Sequence, residues 1–468
     1  MIVAPRTHRQ DIHVFSTSTF ADRRRALRAA MGDATILLIG HRMVPRNYPH
    51  NTYPFRQNSH VLYYCGISRP DVALVMGPDG DALFGPPEDI DDVVWHGPHE
   101  TLEEASAKAG ISDVRDVAGL SEWLRGASDV RYIQPYQDNV INWMADLWGK
   151  SSSEVSSGQC DRLAAQICAQ RSVKTEDELA EIEEALSVTR AMHLASYRAT
   201  RPGAKESDIV AAVQQVALSA DRAQSYNPII TVRGEVLHNN DYHNTLEPGQ
   251  LLLNDSGAES RSWYASDITR CCPVDGTFTE RQRAIYDVVL QSQLAAIDAF
   301  APGVPYKDVH LTSARVIAEG LTALGLMKGD PAEAVAEGAH ALFFPHGVGH
   351  MLGLDVHDME DLGDVVGYES GVARSTQFGL NFLRLAKPLE TGFVVTVEPG
   401  IYFIPALIDR WRADNHLCDF IDYETVETYK GFGGVRIEDD VLCTEGGPRV
   451  LGPEIPKDAS EVEAAMQG

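Results

Sequence analysis

The chain has 468 residues, 44% hydrophobic and 23% charged, a composition that suits a globular protein with material for two domains. Its formal net charge of -27 argues against nucleic acid and against anionic membrane surfaces, because such a field repels phosphate. The seven cysteines are scattered, apart from Cys271 and Cys272, and show no zinc-type spacing, so free thiols in a reducing, cytoplasmic setting are expected.

Residues 20–31 are rich in helix formers and stop at Gly32, which predicts a helix. A short apolar strand follows at 34–40. Strand-like runs at 72–76 and 82–84 flank Pro78-Asp79-Gly80, a hairpin signal. The Ser-rich stretch 151–158 reads as a surface loop. There is no apolar run of about 20 residues, so no membrane span is expected, and the first residues do not read as a signal peptide. A second domain is expected from residue 172. Thr175 and Glu178 form a capping-box pattern, and Leu179, Ile182, Ala185 and Leu186 follow at helical spacing. Pro202-Gly203 ends that helix, and another is expected over 206–220. Beyond Leu251 strands are expected to dominate, broken by helices near 280–300 and 310–324. This second part reads as α+β, with helices packed on one side of a curved sheet.

The second part also carries the chemistry. Asp255 ends the apolar run 251–255, and Asp267 lies in the next strand-like segment. Opposed positions on paired strands bring Cβ atoms to about 4.5–5.5 Å. Two buried carboxylates that close require a proton or a cation. Read alone, two solvated turn aspartates would serve as well. His346, His350 and His357 share a segment punctuated by Gly347, Gly349 and Gly353, where Asp355 or Asp358 is placed to orient a ring. Glu398 closes a buried-type strand, and Pro399 holds it extended. Over 434–443, Val435, Ile437 and Val441 alternate with Arg436, Glu438 and Asp440; alone, this reads as a strand with a solvated polar face. Taken together, four carboxylates and one imidazole match oxygen-rich coordination of two hard divalent ions, such as Mn²⁺. A structural zinc site would use cysteines instead. The chain has no Gly-x-Ser-x-Gly elbow.

Residues 255–270, 346–358, 397–402 and 434–440 resemble the pita-bread metallopeptidases, above all aminopeptidase P and prolidase, which cleave Xaa-Pro bonds. Residues 51–59 resemble the amino-terminal domain of aminopeptidase P. The resemblance implies a creatinase-like α/β domain over 1–171, then a pita-bread catalytic domain over 172–468, its curved antiparallel sheet covered by helices. It implies that Asp255 holds one metal ion, that His350 and Glu398 hold the other, and that Asp267 and Glu438 bridge them. Mn²⁺ is the expected ion, with Co²⁺ or Zn²⁺ as alternatives. Water activated between the ions would hydrolyse the bond, with Glu398 carrying the proton. His238 and His357 would contact the substrate and the developing oxyanion. His346 and Arg436 would support the substrate site.

A segment around 367–387 resembles an insertion of prolidases, in which an arginine grips the carboxylate of a dipeptide; Arg384 occupies that place. The expected activity is therefore Xaa-Pro dipeptidase. The rivals are an aminopeptidase P acting on longer peptides and, from another class, a non-catalytic pita-bread peptide-binding module, which the complete ligand set disfavours. The expected partners are Xaa-Pro dipeptides or short peptides and further copies of the chain, as homodimer or homotetramer. Two departures from the family pattern stand out. Asp255 and Asp267 are one residue further apart than expected, which predicts a bulge. The stretch after Asp358 is longer and more acidic than expected.

Overall fold

The computed structural model describes residues 15–467. Those residues divide into two compact units. The first runs to Arg171 and also takes in Met359–Val365, the acidic stretch after Asp358. The second comprises Ser172–Asp358 and the residues from Val366 onward.

The first unit is built on a five-stranded sheet in the order Asp113–Asp116, Gly80–Gly85, Ala73–Gly77, Thr35–Ile39, Val130–Tyr132. Its inner pairings are antiparallel and its two outer ones parallel. Leu37, Ile39, Val75 and Phe84 from this sheet pack with Leu124, Val140 and Met144 from helices on one face. The helix Thr17–Met31 is capped by the Ser16 side chain and ends at Gly32, whose φ of 70° suits a residue without Cβ. Residues 151–158 are not a plain loop. Ser151 and Glu154 form a reciprocal capping box, which nucleates the short helix Ser152–Ser156.

In the second unit, Thr175 and Glu178 form the expected capping box, and the helix Glu176–Ala199 packs on the helix Glu206–Ser219. The strands Ile229–Thr231, Leu251–Asp255 and Thr269–Pro273 pair antiparallel. Val394–Val397 pairs with Asp439–Thr444, and Gly400–Tyr402 with Gly434–Arg436. The helices Glu280–Asp298 and Tyr306–Ala323 lie against each other. None of the seven cysteines is joined in a disulfide. Among the described residues, no helix is long and apolar enough to cross a membrane.

One local expectation is overturned, and with it one rival reading. The hairpin that carries both aspartates has no net register shift: Asp255 faces Thr269, and Glu259 faces Ala265, in one continuous register. No bulge interrupts the ladder between these pairs. Asp255 and Asp267 are therefore not directly opposed across the ladder. The polar side of residues 434–443 is not solvated either. Arg436, Glu438 and Asp440 are as buried as Val435, Ile437 and Val441, because polar groups of the same unit cover that face.

Candidate metal centre

Backbone pairing brings the site together. His350 N–H donates to Thr396 Oγ1 (3.1 Å), Thr396 N–H to His350 O (3.0 Å) and Glu398 N–H to Val348 O (2.8 Å). The histidine segment thus runs alongside the strand that leads into Glu398. Gly349 permits this approach, since a Cβ there would sit 1.9 Å from Thr396 O. On the other side, Glu438 N–H donates to Thr269 O (3.1 Å) and Asp267 N–H to Asp440 Oδ2 (3.0 Å). Glu438 itself falls in the break between the strands Gly434–Arg436 and Asp439–Thr444.

Asp267, His350 and Glu438 each offer one donor atom, and these atoms lie within 4.8 Å of one another. Glu398 Oε1 is 3.7 Å from His350 Nε2, and Asp267 Oδ2 is 3.4 Å from it. Asp255 joins through Tyr226, whose hydroxyl contacts both Asp255 and Asp267. All five sequence-predicted ligands are thus gathered, with Asp267, His350 and Glu438 as the compact group.

Electrostatics show what the cluster lacks. Burial, then repulsion from Asp267 and Asp255, outweighs the attraction of His350 and Arg436 and pushes Glu398 up to about 7. Burial and the charges of Asp267, Glu398 and Asp255 hold Glu438 well above the carboxylate range. Asp255 is raised, chiefly by burial, against the pull of Arg436. Burial alone would lower His350, but Asp267 and Glu398 outweigh it and raise its proton affinity. The group as a whole is short of positive charge. His350 Nδ1 sits 3.0 Å from Met351 O, and a carbonyl only accepts, so Nδ1 carries the proton. In the neutral ring, the Nε2 lone pair is then left facing the carboxylates. This donor set, with that tautomer fixed, fits a divalent cation.

The surrounding histidines are held neutral. His346 Nδ1 donates to Gly347 O (2.8 Å), and its Nε2 accepts from the Tyr402 hydroxyl (2.9 Å). That hydroxyl accepts in turn from Arg436 Nη1 (3.0 Å). Burial, then the charge of Arg436, takes His346 down to about 3. His357 stands edge-on to His350, with ring centroids 4.4 Å apart. Burial, then His350 and Arg384, takes it down to about 2. His238 is exposed, yet desolvation of its ring and the charge of Arg436 lower its pKa, with Arg384 contributing. The half-buried Arg384 therefore acts electrostatically on His238, His346 and His357 together. Asp358 forms a buried ion pair with Lys174 (3.2 Å), both 1% exposed at the side chain.

Sequence reasoning missed three participants. Tyr226 caps both aspartates. Thr269 Oγ1 donates to Glu438 Oε2 (2.6 Å) and accepts from Arg436 Nε (3.1 Å). The Arg270 guanidinium, 2% exposed, donates to the carbonyls of Thr269, Glu438, Ile455 and Pro456 and to Asp439 Oδ1.

Comparison with known proteins agrees with this geometry. Residues 180–445 match metallopeptidase family M24, and residues 20–131 match the aminopeptidase P N-terminal domain. The chain is 34% identical to a protein of Ajellomyces dermatitidis named "Probable Xaa-Pro aminopeptidase PEPP", over 88% of each chain. It is 32% identical to human Xaa-Pro dipeptidase, covering 96% of this chain and 91% of that one. The structure of Pseudomonas aeruginosa aminopeptidase PepP superposes with a TM-score of 0.78 at 28% identity, covering 100% of this chain and 99% of that one. The fold is that of aminopeptidase P, an amino-terminal domain followed by a pita-bread domain, and the chain belongs to the Xaa-Pro-cleaving hydrolases of metallopeptidase family M24.

Proposed function

We propose that this protein is a two-metal hydrolase of the Xaa-Pro bond that prefers short peptides, and dipeptides above all. The observation that carries the metal reading is the fixed His350 tautomer, its Nε2 among carboxylates whose burial, and then mutual repulsion, raises Glu398 to about 7. Asp255, Asp267, His350, Glu398 and Glu438 would hold two divalent ions, Mn²⁺ by the chemistry of the set, which when bound would polarise the scissile carbonyl and acidify a water.

The chain's own residues supply the rest. An Xaa-Pro bond is a tertiary amide with no N–H, so its nitrogen must gain a proton to leave. Glu398, a carboxylate beside the candidate metal site, carries that proton to the proline nitrogen. His357 stays neutral near pH 7 and donates through a ring N–H to the oxygen of the carbonyl under attack. His238 contributes a second neutral imidazole at the substrate. Arg436 and Tyr402 hold His346 in one tautomer against the same pocket. Arg384 pairs with the substrate's terminal carboxylate. Its electrostatic reach to His238, His346 and His357 supports that assignment, and a bidentate grip at a fixed distance selects for length.

A second reading, an aminopeptidase releasing the first residue of longer Xaa-Pro peptides, is favoured by the name of the Ajellomyces relative and the fold of the Pseudomonas enzyme. One experiment separates the two: rates on an Xaa-Pro dipeptide, an Xaa-Pro-Yaa tripeptide and a control without proline, after chelation and after Mn²⁺ is returned. The dipeptide should be the fastest, and only with metal. Faster tripeptide cleavage supports the second reading, and full activity after complete chelation refutes both.

A further inference from the structure

We propose that Glu206, Thr231 and Asn239 form a positioning relay that fixes the loop carrying His238, and that this relay sets how well His238 meets the substrate. The inference rests on the role assigned to His238 above. None of the three residues belongs to the candidate metal set or touches it.

The loop leaves the strand Ile229–Thr231 and returns at Asn244, and both ends close on one buried carboxylate. Glu206 is 0% exposed. Its Oε1 accepts from Thr231 Oγ1 (2.8 Å) and Val232 N–H (2.9 Å), at the outgoing end. Its Oε2 accepts from Asn244 N–H (3.0 Å) and Asn244 Nδ2 (2.9 Å), at the returning end. Glu206 N–H also donates to Asn244 O (3.0 Å). Every side-chain contact of Glu206 is to a donor, as a carboxylate requires.

Thr231 passes this anchor into the loop. A hydroxyl has one proton and two lone pairs. The Thr231 proton goes to Glu206, which leaves both lone pairs to accept from Arg233 N–H (2.9 Å) and Asn239 Nδ2 (3.0 Å). Asn239 is the residue after His238, and its Oδ1 accepts from Asp241 N–H (3.0 Å), a turn that fixes the backbone on the far side of His238. Asn240 Nδ2 reaches Pro228 O (3.2 Å) and Asn227 O (3.3 Å), which ties the loop to the segment holding Tyr226. An exposed histidine on a long loop would otherwise sample many positions. Here the order of its neighbours traces back to a single buried glutamate.

The test is a double-mutant cycle on kcat/KM for an Xaa-Pro dipeptide, with metal content and melting temperature measured on every variant. Thr231→Val removes the relaying hydroxyl at nearly constant volume. It should lower kcat/KM about tenfold in the otherwise native enzyme, as expected for a misplaced substrate-contacting group. In the His238→Ala background the same change should cost less than about twofold, because independent sites add and coupled ones do not. Thr231→Ser should recover most of the loss. Asn239→Ala, at a half-buried position, cuts the same link from the loop side and should repeat the pattern if Thr231→Val does not fold. An equal fold-loss in both backgrounds, or no loss in the native one, overturns the relay. Native kcat/KM for His238→Ala alone instead overturns the role given to His238, so the two failures are distinguishable.

Discussion

Replacing Arg270 by Met probes the support beneath Glu438. The guanidinium is 2% exposed at the side chain and is paired with Asp439, itself 4% exposed. Breaking a buried pair from one side costs about 3–5 kcal/mol, because the remaining charge is left uncompensated. Here Asp439 keeps Lys457 and Gln293, the latter at 2.7 Å, which places the loss near the lower figure. The carbonyls of Thr269, Glu438, Ile455 and Pro456 also lose a donor, and Met restores only the volume. We expect about 3 kcal/mol, which for a unit of this size is a fall in Tm of roughly 6–12 °C. Differential scanning calorimetry on chelated and Mn²⁺-loaded protein measures it. Loss of the donor to Glu438 O should also weaken metal retention about tenfold. A Tm within about 2 °C of native, with native metal affinity, would refute this account of Arg270.

Asp439 gives a prediction in pH. Burial would raise its pKa, but Arg270 and Lys457 outweigh this and hold it down at about 2, against about 3.9 in an unfolded chain. A depressed folded pKa means that the stabilisation is complete above about pH 4 and lost as pH falls towards 2, a change of roughly 2 to 3 kcal/mol. The Asp439→Asn variant should lack that slope in urea unfolding between pH 5 and 2, and parallel curves for the two proteins would contradict it. Glu398→Gln should lose about 10²–10⁴-fold in kcat while remaining folded by circular dichroism; a rate within threefold of native excludes the proton-carrying role. Arg384→Ala should lower dipeptide kcat/KM about tenfold or more and tripeptide kcat/KM far less, given the strength of charged hydrogen bonds. Equal losses on both substrates would remove the carboxylate grip.

Local signals carried much of the fold. The capping box at Thr175 and Glu178, the stop at Gly32 and the hairpin around Gly80 are short-range chemistry, and they are found where the pattern puts them. The candidate ligand residues stood out because acids in buried strand runs are costly and so conspicuous. Tyr226 was not legible. It precedes Asn227-Pro228 in an unremarkable stretch and meets Asp255 and Asp267 only after the chain folds back. Alternation at 435–441 located the faces but by itself left the environment open, because periodicity cannot say whether a polar face meets water or other polar groups. Nothing local marked Arg270; its partners Ile455 and Pro456 are far away in sequence.

That last separation bears on how the protein is made. Glu438 is pinned through Arg270 to carbonyls at Ile455 and Pro456, and Lys457 completes the neutralisation of Asp439. Synthesis proceeds from the amino terminus at about 5–20 residues per second. A nascent chain that has reached residue 450 holds every candidate ligand but lacks the groups that fix one of them. If the candidate site binds an ion, capture in the final geometry would then wait until this stretch has left the ribosome and folded back. A fusion or truncation that disturbs residues 455–457 should then be read first as a maturation defect, even though it lies outside the segments that define the chemistry.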